Sequence, residues 1–318
     1  MSHAASTAVR ASAPGGIGNL GPGLDVLGCA VAGPRDEVVA EWSDAAGVTV
    51  RDAGHPELPT DPARHSSALA AAAVLRRVRE AGGALPAPGI AVSLVKRLPL
   101  SGGQGGSAAS AVAGAVAANA LCGEPLDRIA LLECCLEAES TVAGRHLDNV
   151  APSLLGGIVL VRSVDPIDVI PLAVPAGLRV VLAHPAQRLR TADARGVLPT
   201  EIPRALAIHQ MAQVAAIVAA TYTNDLALLG RAIDDRIAEP ARATLLPGFA
   251  EAKQAALAAG ALGASISGAG PTMFALVEGD EMGERVAAAV RDAYARAGVD
   301  CAARVTTIDE TGARWEIP

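Results

Sequence analysis

The stretch Pro99-Leu100-Ser101-Gly102-Gly103-Gln104-Gly105-Gly106-Ser107-Ala108-Ala109-Ser110 places four glycines within the five positions 102–106 and runs straight into an Ala-rich helical pattern, 107–121. Glycine has no Cβ to hold a polyphosphate at a distance, and it lets successive backbone N–H groups point inward. A helix opening at Ser107 adds its unpaired N-terminal amides and positive dipole end at the same spot. From Pro99 through Ala109 the chain is therefore expected to cradle the phosphates of a nucleotide. The Gly-Lys-Ser/Thr ending of a Walker loop is absent. No acidic residue closes a dinucleotide-binding βαβ unit nearby. A flexible glycine linker between a strand and a helix is the alternative.

Working outward, the 318 residues suffice for one large domain or two of ordinary size. Half the chain is hydrophobic (51%) yet aromatics make up only 2%, so the core must be built from Ala, Val, Leu and Ile. So few aromatic rings argue against stacking on single-stranded nucleic acid. The net charge of −7 argues against a duplex binder, which needs a basic face. Any bound polyanion is expected to be small. Five cysteines, an odd number with no CxxC pair, read as reduced thiols and not as a disulfide framework or zinc site. The N-terminus Met1-Ser-His-Ala-Ala-Ser-Thr7 has no secretory pattern, and the apolar stretches are broken by Gly or polar residues. A soluble cytoplasmic protein with no membrane or nucleic-acid partner is the expectation.

Strand-like runs at 91–95, 158–162, 178–183 and 272–277 alternate with helical patterns at 65–81, 107–121, 126–142, 203–232, 250–260 and 281–297. The mixture predicts an α+β fold. Residues 53–64 read as a surface loop, and the Pro/Asp-rich stretch 164–176 as a junction between two halves.

Three further segments could carry chemistry. Ala13–Gly28 is glycine-dense and presents Asn19 and Asp25 from a turn-rich stretch; an ordinary Asn/Asp-capped turn is the alternative. Around His146-Leu-Asp148-Asn149, preceded by Glu139, each residue taken singly reads as a structural histidine, a turn cap or a solvated helix face. Ala264–Thr272 is a Ser/Gly turn, with Ser267, Gly268 and Gly270, that could press backbone against a ligand. Phosphoryl transfer needs a phosphate cradle, a magnesium ion on a hydroxyl and a carboxylate, and groups that position the acceptor. Ser107 can supply the hydroxyl and Glu139 the carboxylate. On these grounds alone the chain is a nucleotide-using enzyme whose acceptor is open.

These segments, in this order, resemble the three signatures of the galactokinase–homoserine kinase–mevalonate kinase (GHMP) superfamily. The loop 99–110 is similar to the second and Ser265–Thr272 to the third. Asn19–Gly28, His146–Pro152, Thr191–Arg195 with Leu198-Pro199, and Glu239–Phe249 resemble homoserine kinases in particular, so the similarity runs from about residue 10 to 278. The resemblance implies a two-domain fold. Residues 1–165 would be an N-terminal ATP-binding domain like ribosomal protein S5 domain 2, and residues 166–318 a ferredoxin-like C-terminal domain. It implies ATP and Mg2+ as cofactors, L-homoserine as acceptor in a step toward threonine, and a homodimer.

A free amino acid is a zwitterion, and its site should hold a carboxylate for the ammonium and arginine forks for the carboxylate. By the resemblance Asp25 takes the first role and Arg195 and Arg242 the second. Asn19, His146 and Asn149 line the acceptor pocket, with the turn Ser267-Gly268-Ala269-Gly270 closing it. His65 stands where an asparagine near the nucleotide base is common, Gly106 where the loop usually has a serine, and Gly15–Gly18 where hydroxyl residues are common. Superfamily relatives use a carboxylate in a similar Asp-Asn segment as a base, whereas homoserine kinases manage without one, so Asp148 is open between the two roles. Another small-molecule kinase of the superfamily and a non-catalytic nucleotide sensor are the rival readings.

Overall fold

In a computed structural model, residues 7–318 are described; most of the N-terminal segment read for a secretory pattern, residues 1–6, lies outside the described residues. The chain runs β1 (Ala8–Gly18), β2 (Leu27–Ser43), β3 (Gly47–Asp52), α1 (Ser66–Glu80), β4 (Gly89–Val95), α2 (Gly106–Leu121), α3 (Arg128–Val142) and α4 (Val150–Leu155). A hairpin of β5 (Ile158–Val164) and β6 (Ile167–Leu172) follows. Then come β7 (Leu178–Pro185), α5 (Thr191–Gly196), α6 (Arg204–Thr223), α7 (Leu226–Arg231), α8 (Ala238–Ala243) and α9 (Phe249–Ala258). The chain closes with β8 (Gly263–Ile266), β9 (Met273–Glu278), α10 (Asp280–Arg296), β10 (Cys301–Thr306) and β11 (Arg314–Glu316).

The first sheet has seven strands in the order β11-β1-β2-β4-β3, with β5 on the Leu27 end of β2 and β6 beyond it. Its helical layer is built from alanine. Nearly every side chain of α2 is buried, whichever way it faces, as a helix apolar all round must be. Small side chains let α1 lie close: a Cβ on Gly114 would stand 2.4 Å from the Ser67 carbonyl oxygen, and Ser67 Oγ donates to Ser110 O at 2.8 Å. The second sheet is four-stranded and antiparallel, β10-β7-β9-β8, with α9 and α10 packed on one face through Phe249, Val286, Val290 and Tyr294. Ile17 of β1, Leu20 of the β1–β2 turn and Leu27 of β2 share a core with Leu182, Ile217, Leu229 and Phe274. That shared core fixes the two sheets against each other, and the glycine loop lies over their junction.

Three expectations meet a different structure. Within the stretch 164–176, residues 167–172 are β6, an edge strand of the first sheet, so the boundary expected at 165/166 falls in the hairpin turn. Proline at 171 is tolerated because β6 pairs on one side only. The helix expected over 203–232 is two helices: Asn224 adopts a left-handed φ of 54°, and Asp225 starts α7 by accepting from Leu228 N at 2.8 Å. The glycine-dense segment from residue 13 is strand as far as Gly18, and the turn occupies 19–26. Among the described residues one helix, α6, has the length and composition of a membrane span, and its apolar side chains Ile208 and Met211 are exposed on this molecule.

Candidate active site

A cavity of about 450 Å³ opens between the glycine loop, α3, the Asp148–Asn149 segment and α5. Gly103 and Gly105, at φ 72° and 64°, turn the loop into α2, of which Gly105 is the N-cap. The loop's carbonyls are gripped from below. Thr272 Oγ1 donates to Gly102 O and Ser267 Oγ to Gly103 O, both at 2.6 Å, and Gly16 N donates to Gln104 O at 3.1 Å. Among the described residues none accepts from the amides of Gly103, Gln104, Gly105, Gly106, Ser107 or Ala108. Six successive unpaired N–H groups at a helix N-terminus make an anion site.

Six cationic side chains line the cavity (Arg64, Lys96, Arg188, Arg190, Arg195 and Arg242) against three carboxylates (Glu57, Glu139 and Asp148), on a chain of net charge −7. Lys96, Arg188 and Arg195 are paired with Asp36, Glu57 and Asp25, which leaves Arg64, Arg190 and Arg242 as the lining cations with no carboxylate partner among the described residues.

Glu139, on α3, reaches the start of α2: Ser107 Oγ donates to its Oε1 at 2.9 Å. Its Oε2 is buried with no partner among the described residues. Burial, reinforced by the negative charge of Asp148, pushes the Glu139 carboxyl up to about 7 against the opposing Ser107 hydrogen bond. An orphaned buried carboxylate oxygen beside a hydroxyl suits a hard divalent cation that keeps waters and takes its remaining ligands from phosphate.

The acceptor side is assembled from four segments. Asn19, at φ 69°, donates its Nδ2 to Gly268 O (3.0 Å), accepts from Asp25 N (3.1 Å) and gives its own N–H to Asp148 Oδ2 (3.2 Å). Leu20 and Asp25 are also left-handed, at 42° and 61°; three non-glycine residues in this region mark a turn held against its preference. Arg195 grips Asp25 in a fork, at 2.7 and 3.3 Å, leaving its Nε buried without a partner. Burial raises the Asp25 carboxyl, but Arg195 outweighs it and holds the group below its ordinary value. His146 Nδ1 lies 3.9 Å from Asp25 Oδ1, and burial with Arg195 nearby keeps the ring neutral to lower pH. Arg242 is 3% exposed and donates Nη1 to Gly268 O (2.9 Å) and Nε to Ala194 O (3.1 Å). Asn149 gives its Nδ2 to Asp148 Oδ2 (3.1 Å) and has a buried Oδ1 with no partner. Asp148 is pushed up to about 7 by burial, with Asp25 adding to it and Arg195 opposing.

Of the residues singled out from sequence, Asn19, His65, Pro99–Gly103, Gly105–Ser107, Glu139, His146, Asp148, Asn149, Arg195, Arg242, Gly268 and Gly270 all line this one cavity. Others stand behind the wall. Ala108 and Ala109 are fully buried core of α2, because the helix has turned them away from the loop. Gln104 points its Nε2 at Thr272 Oγ1 (3.3 Å), and Ser267 spends its hydroxyl on Gly103, so the Ser267 turn braces the loop with its side chains and meets the cavity only with backbone. Asp25 meets Arg195 directly instead of standing apart from it as a separate charge. His65 occupies the N-cap position of α1 without a side-chain cap; its ring Nε2 lies 3.3 Å from Ala53 O, and its buried Nδ1 has no partner among the described residues.

Sequence reasoning missed Lys96. Its Nζ pairs with fully buried Asp36 and donates to Gly106 O (2.8 Å) and Ser110 Oγ (3.2 Å). Asp36 also accepts from Arg97 N and Leu98 N, both at 3.0 Å. A lysine closing a strand just ahead of the loop was the available signal. Gly106, where a serine is common, has its missing Cβ 2.9 Å from that ammonium.

Comparison with known proteins agrees with this geometry. The GHMP kinase N-terminal domain model matches residues 66–157 and the GHMP kinase C-terminal model residues 216–296. A homoserine kinase of Chlorobium phaeovibrioides is 42% identical over 295 residues, 90% of this chain and 92% of that one. One of Arabidopsis thaliana is 39% identical over 96% of this chain and 84% of its own. The crystal structure of a homoserine kinase from Cytophaga hutchinsonii superposes with a TM-score of 0.92 at 38% identity, covering 99% of both chains. A two-domain GHMP fold and this degree of identity along nearly the whole length place the chain in the homoserine kinase family of GHMP small-molecule kinases.

Proposed function

We propose that this chain transfers the γ-phosphoryl group of ATP to the side-chain hydroxyl of L-homoserine, giving O-phospho-L-homoserine and ADP in a step of threonine biosynthesis. The observation that carries the nucleotide half is the run of six unpaired amides from Gly103 to Ala108. They hold the β- and γ-phosphates, with the N-terminus of α2 beneath them. Ser107 and Glu139 hold Mg2+, supported by the orphaned Oε2; when bound, the ion neutralises charge on the β- and γ-phosphate oxygens. The base of the nucleotide lies toward His65.

For the acceptor, Asp25 takes the ammonium and Arg195 and Arg242 the carboxylate. The Asp25–Arg195 fork then exchanges one internal pair for two pairs with a zwitterion of matching charges. Asn149 accepts from the reacting hydroxyl with its unpartnered Oδ1. The hydroxyl oxygen attacks γ-phosphorus in line, the bond to the β–γ bridging oxygen breaks and ADP leaves, while the hydroxyl proton passes to an oxygen of the transferred phosphoryl group and from there to solvent. Because such transfer is largely dissociative, little charge develops on the attacking oxygen before the leaving bond lengthens. Asp148 is assigned to positioning, since its Oδ2 already accepts from Asn19 N and Asn149 Nδ2. A homodimer in the cytoplasm completes the reading, supported by the uncharged exposed face of α6 and by five unpaired cysteines.

Coupled detection of ADP with a panel of acceptors tests this. Release is expected with L-homoserine, and far less with L-serine or L-threonine; release with mevalonate or a sugar and none with L-homoserine overturns the assignment. A chain that binds ATP but releases ADP with no acceptor would be a sensor.

A further inference from the structure

Arg242 reaches the cavity from α8, a helix only six residues long, and one buried carboxylate fixes that helix in place. Asp235 Oδ1 accepts from Ile237 N at 2.8 Å and Ala238 N at 3.0 Å, and its Oδ2 from Glu239 N at 2.9 Å. The same Oδ1 accepts from Gln210 Nε2, on α6, at 2.6 Å. Gln210 Nε2 also donates to Pro22 O at 3.1 Å, in the turn that carries Asn19 and Asp25, and its Oε1 accepts from Arg236 N at 3.3 Å. One carboxylate and one amide thus tie together α6, the 19–26 turn and α8. Neither side chain lines the cavity.

A carboxylate accepting from a helix's first amides is ordinarily a stabilising cap. Two features give this one more to do. The capped helix carries Arg242, whose guanidinium is itself fixed by the Gly268 and Ala194 carbonyls, so a tilt of α8 moves a charge that has no slack. Asp235 also counters the burial and the neighbouring Arg195 that weigh against the charge of Arg242. Through Gln210 the same carboxylate is joined to the turn bearing Asp25.

We propose that Asp235 and Gln210 are positioning residues for the amino-acid end of the acceptor, setting the span between Asp25 on the turn and Arg242 on α8. The inference rests on the reading above that these two charges bind ammonium and carboxylate. In an amino acid both groups sit on one carbon, so the two recognition charges must hold a fixed separation. A misplacement of about 1 Å is enough to cost binding or rate.

The experiment compares Asp235→Asn, Gln210→Leu and Arg242→Ala with the wild-type chain, measuring KM for L-homoserine, KM for ATP and kcat. It repeats the measurement with 3-amino-1-propanol, which is homoserine without its carboxylate. Asp235→Asn should raise the homoserine KM about tenfold, as expected for losing a hydrogen bond to a charged group, and leave the ATP KM within about twofold. Gln210→Leu should act in the same direction and less strongly. Discrimination between homoserine and 3-amino-1-propanol should shrink in both, because a displaced Arg242 no longer rewards the carboxylate; a purely structural cap would leave that ratio intact. The proposal is overturned if the ratio is unchanged, or if the loss falls equally on both KM values or on kcat alone. Should Asp235→Asn not fold, Gln210→Leu decides by the same criteria. Arg242→Ala separates the two layers: an unchanged homoserine KM there removes the carboxylate assignment itself. A raised KM there with both other variants silent removes only the positioning role.

Discussion

Glu139 is a carboxyl placed where ionisation is unfavourable until something arrives to use it. Its pKa rises from 4.5 to about 7 on burial. Between those values the folded chain therefore binds more protons than the unfolded chain. The stabilisation this provides is complete below about pH 4.5 and is lost as the pH climbs through 7. Asp148, raised from 3.8 to about 7, contributes in the same direction. Glu139→Gln keeps the Ser107 hydrogen bond and removes the charge, so at pH 8 without divalent ions the variant should be more stable by on the order of 2 kcal/mol. On the proposed role of Glu139 as the ion's ligand, adding Mg2+ with a nucleotide should stabilise the wild-type chain and do far less for the variant, which lacks the carboxylate. Thermal unfolding at pH 5 and pH 8, with and without Mg2+ and a non-hydrolysable ATP analogue, measures both. A wild-type curve that does not depend on pH between those points, or equal ligand shifts in the two proteins, contradicts this account of Glu139.

The glycine loop and the β8–β9 turn work as one element, because the loop's carbonyls are satisfied by Ser267 and Thr272. Gly103 is where they touch: a Cβ there would lie 2.6 Å from Ser267 O and 2.7 Å from Gly270 O, at a φ of 72°. Gly103→Ala must open that contact and carry the amides with it. The ATP KM should rise by on the order of tenfold, with a stability loss of about 1–3 kcal/mol from backbone strain, while the homoserine KM moves much less. Steady-state kinetics with each substrate varied in turn checks the split; a rise confined to homoserine would contradict the pairing of loop with nucleotide. The loop itself was legible in sequence because glycine density is a local signal. So were α1, α2, α3 and α10, whose patterns run long enough to show their period. Strands β1 and β2 were not, since Gly15, Gly16 and Gly18 look like a turn until Ala30 pairs across from Gly16 and Gly28 across from Gly18. Lys96, Asp36 and Ser110 were illegible for a related reason: sequence separations of 14 to 74 residues join them, and each alone reads as an ordinary surface group. The Asp25–Arg195 fork spans 170 residues, and only a resemblance could bring both to notice.

On the scale of the whole molecule, α6 is the feature that a lone copy leaves unexplained. Between Arg204 and Asp225 the chain has no Asp, Glu, Lys or Arg, and Ile208, Met211 and Tyr222 are among the exposed apolar groups of α6. A helix of that length runs about 30 Å, and two of them packed face to face, with neighbouring surface, can approach the roughly 800 Å² per partner of a stable interface. The occupant we propose for it is a second copy of this chain. Antiparallel pairing about a twofold axis lays one uncharged stripe on another and sets Arg204 of one copy opposite Asp225 at the far end of the other helix. A charge in the middle of the stripe should therefore be intolerable to the pair and harmless to the monomer, whose core contacts through Ile217, Ala220 and Thr221 lie on the opposite face. Ile208→Glu and Met211→Glu together are expected to convert a dimer into a monomer in sedimentation velocity at about 10 μM, with the unfolding temperature of the monomer nearly unchanged. A wild-type chain that sediments as a monomer at that concentration contradicts the pairing, as does a doubly charged variant that remains dimeric. A monomeric wild type that floats with lipid vesicles would assign the face to a membrane instead. Because Gln210 lies on the same helix and reaches Pro22 and Asp235, the monomeric variant also reports whether α6 needs its partner to hold the acceptor site: the homoserine KM should rise if it does, and stay at the wild-type value if the helix is rigid by itself.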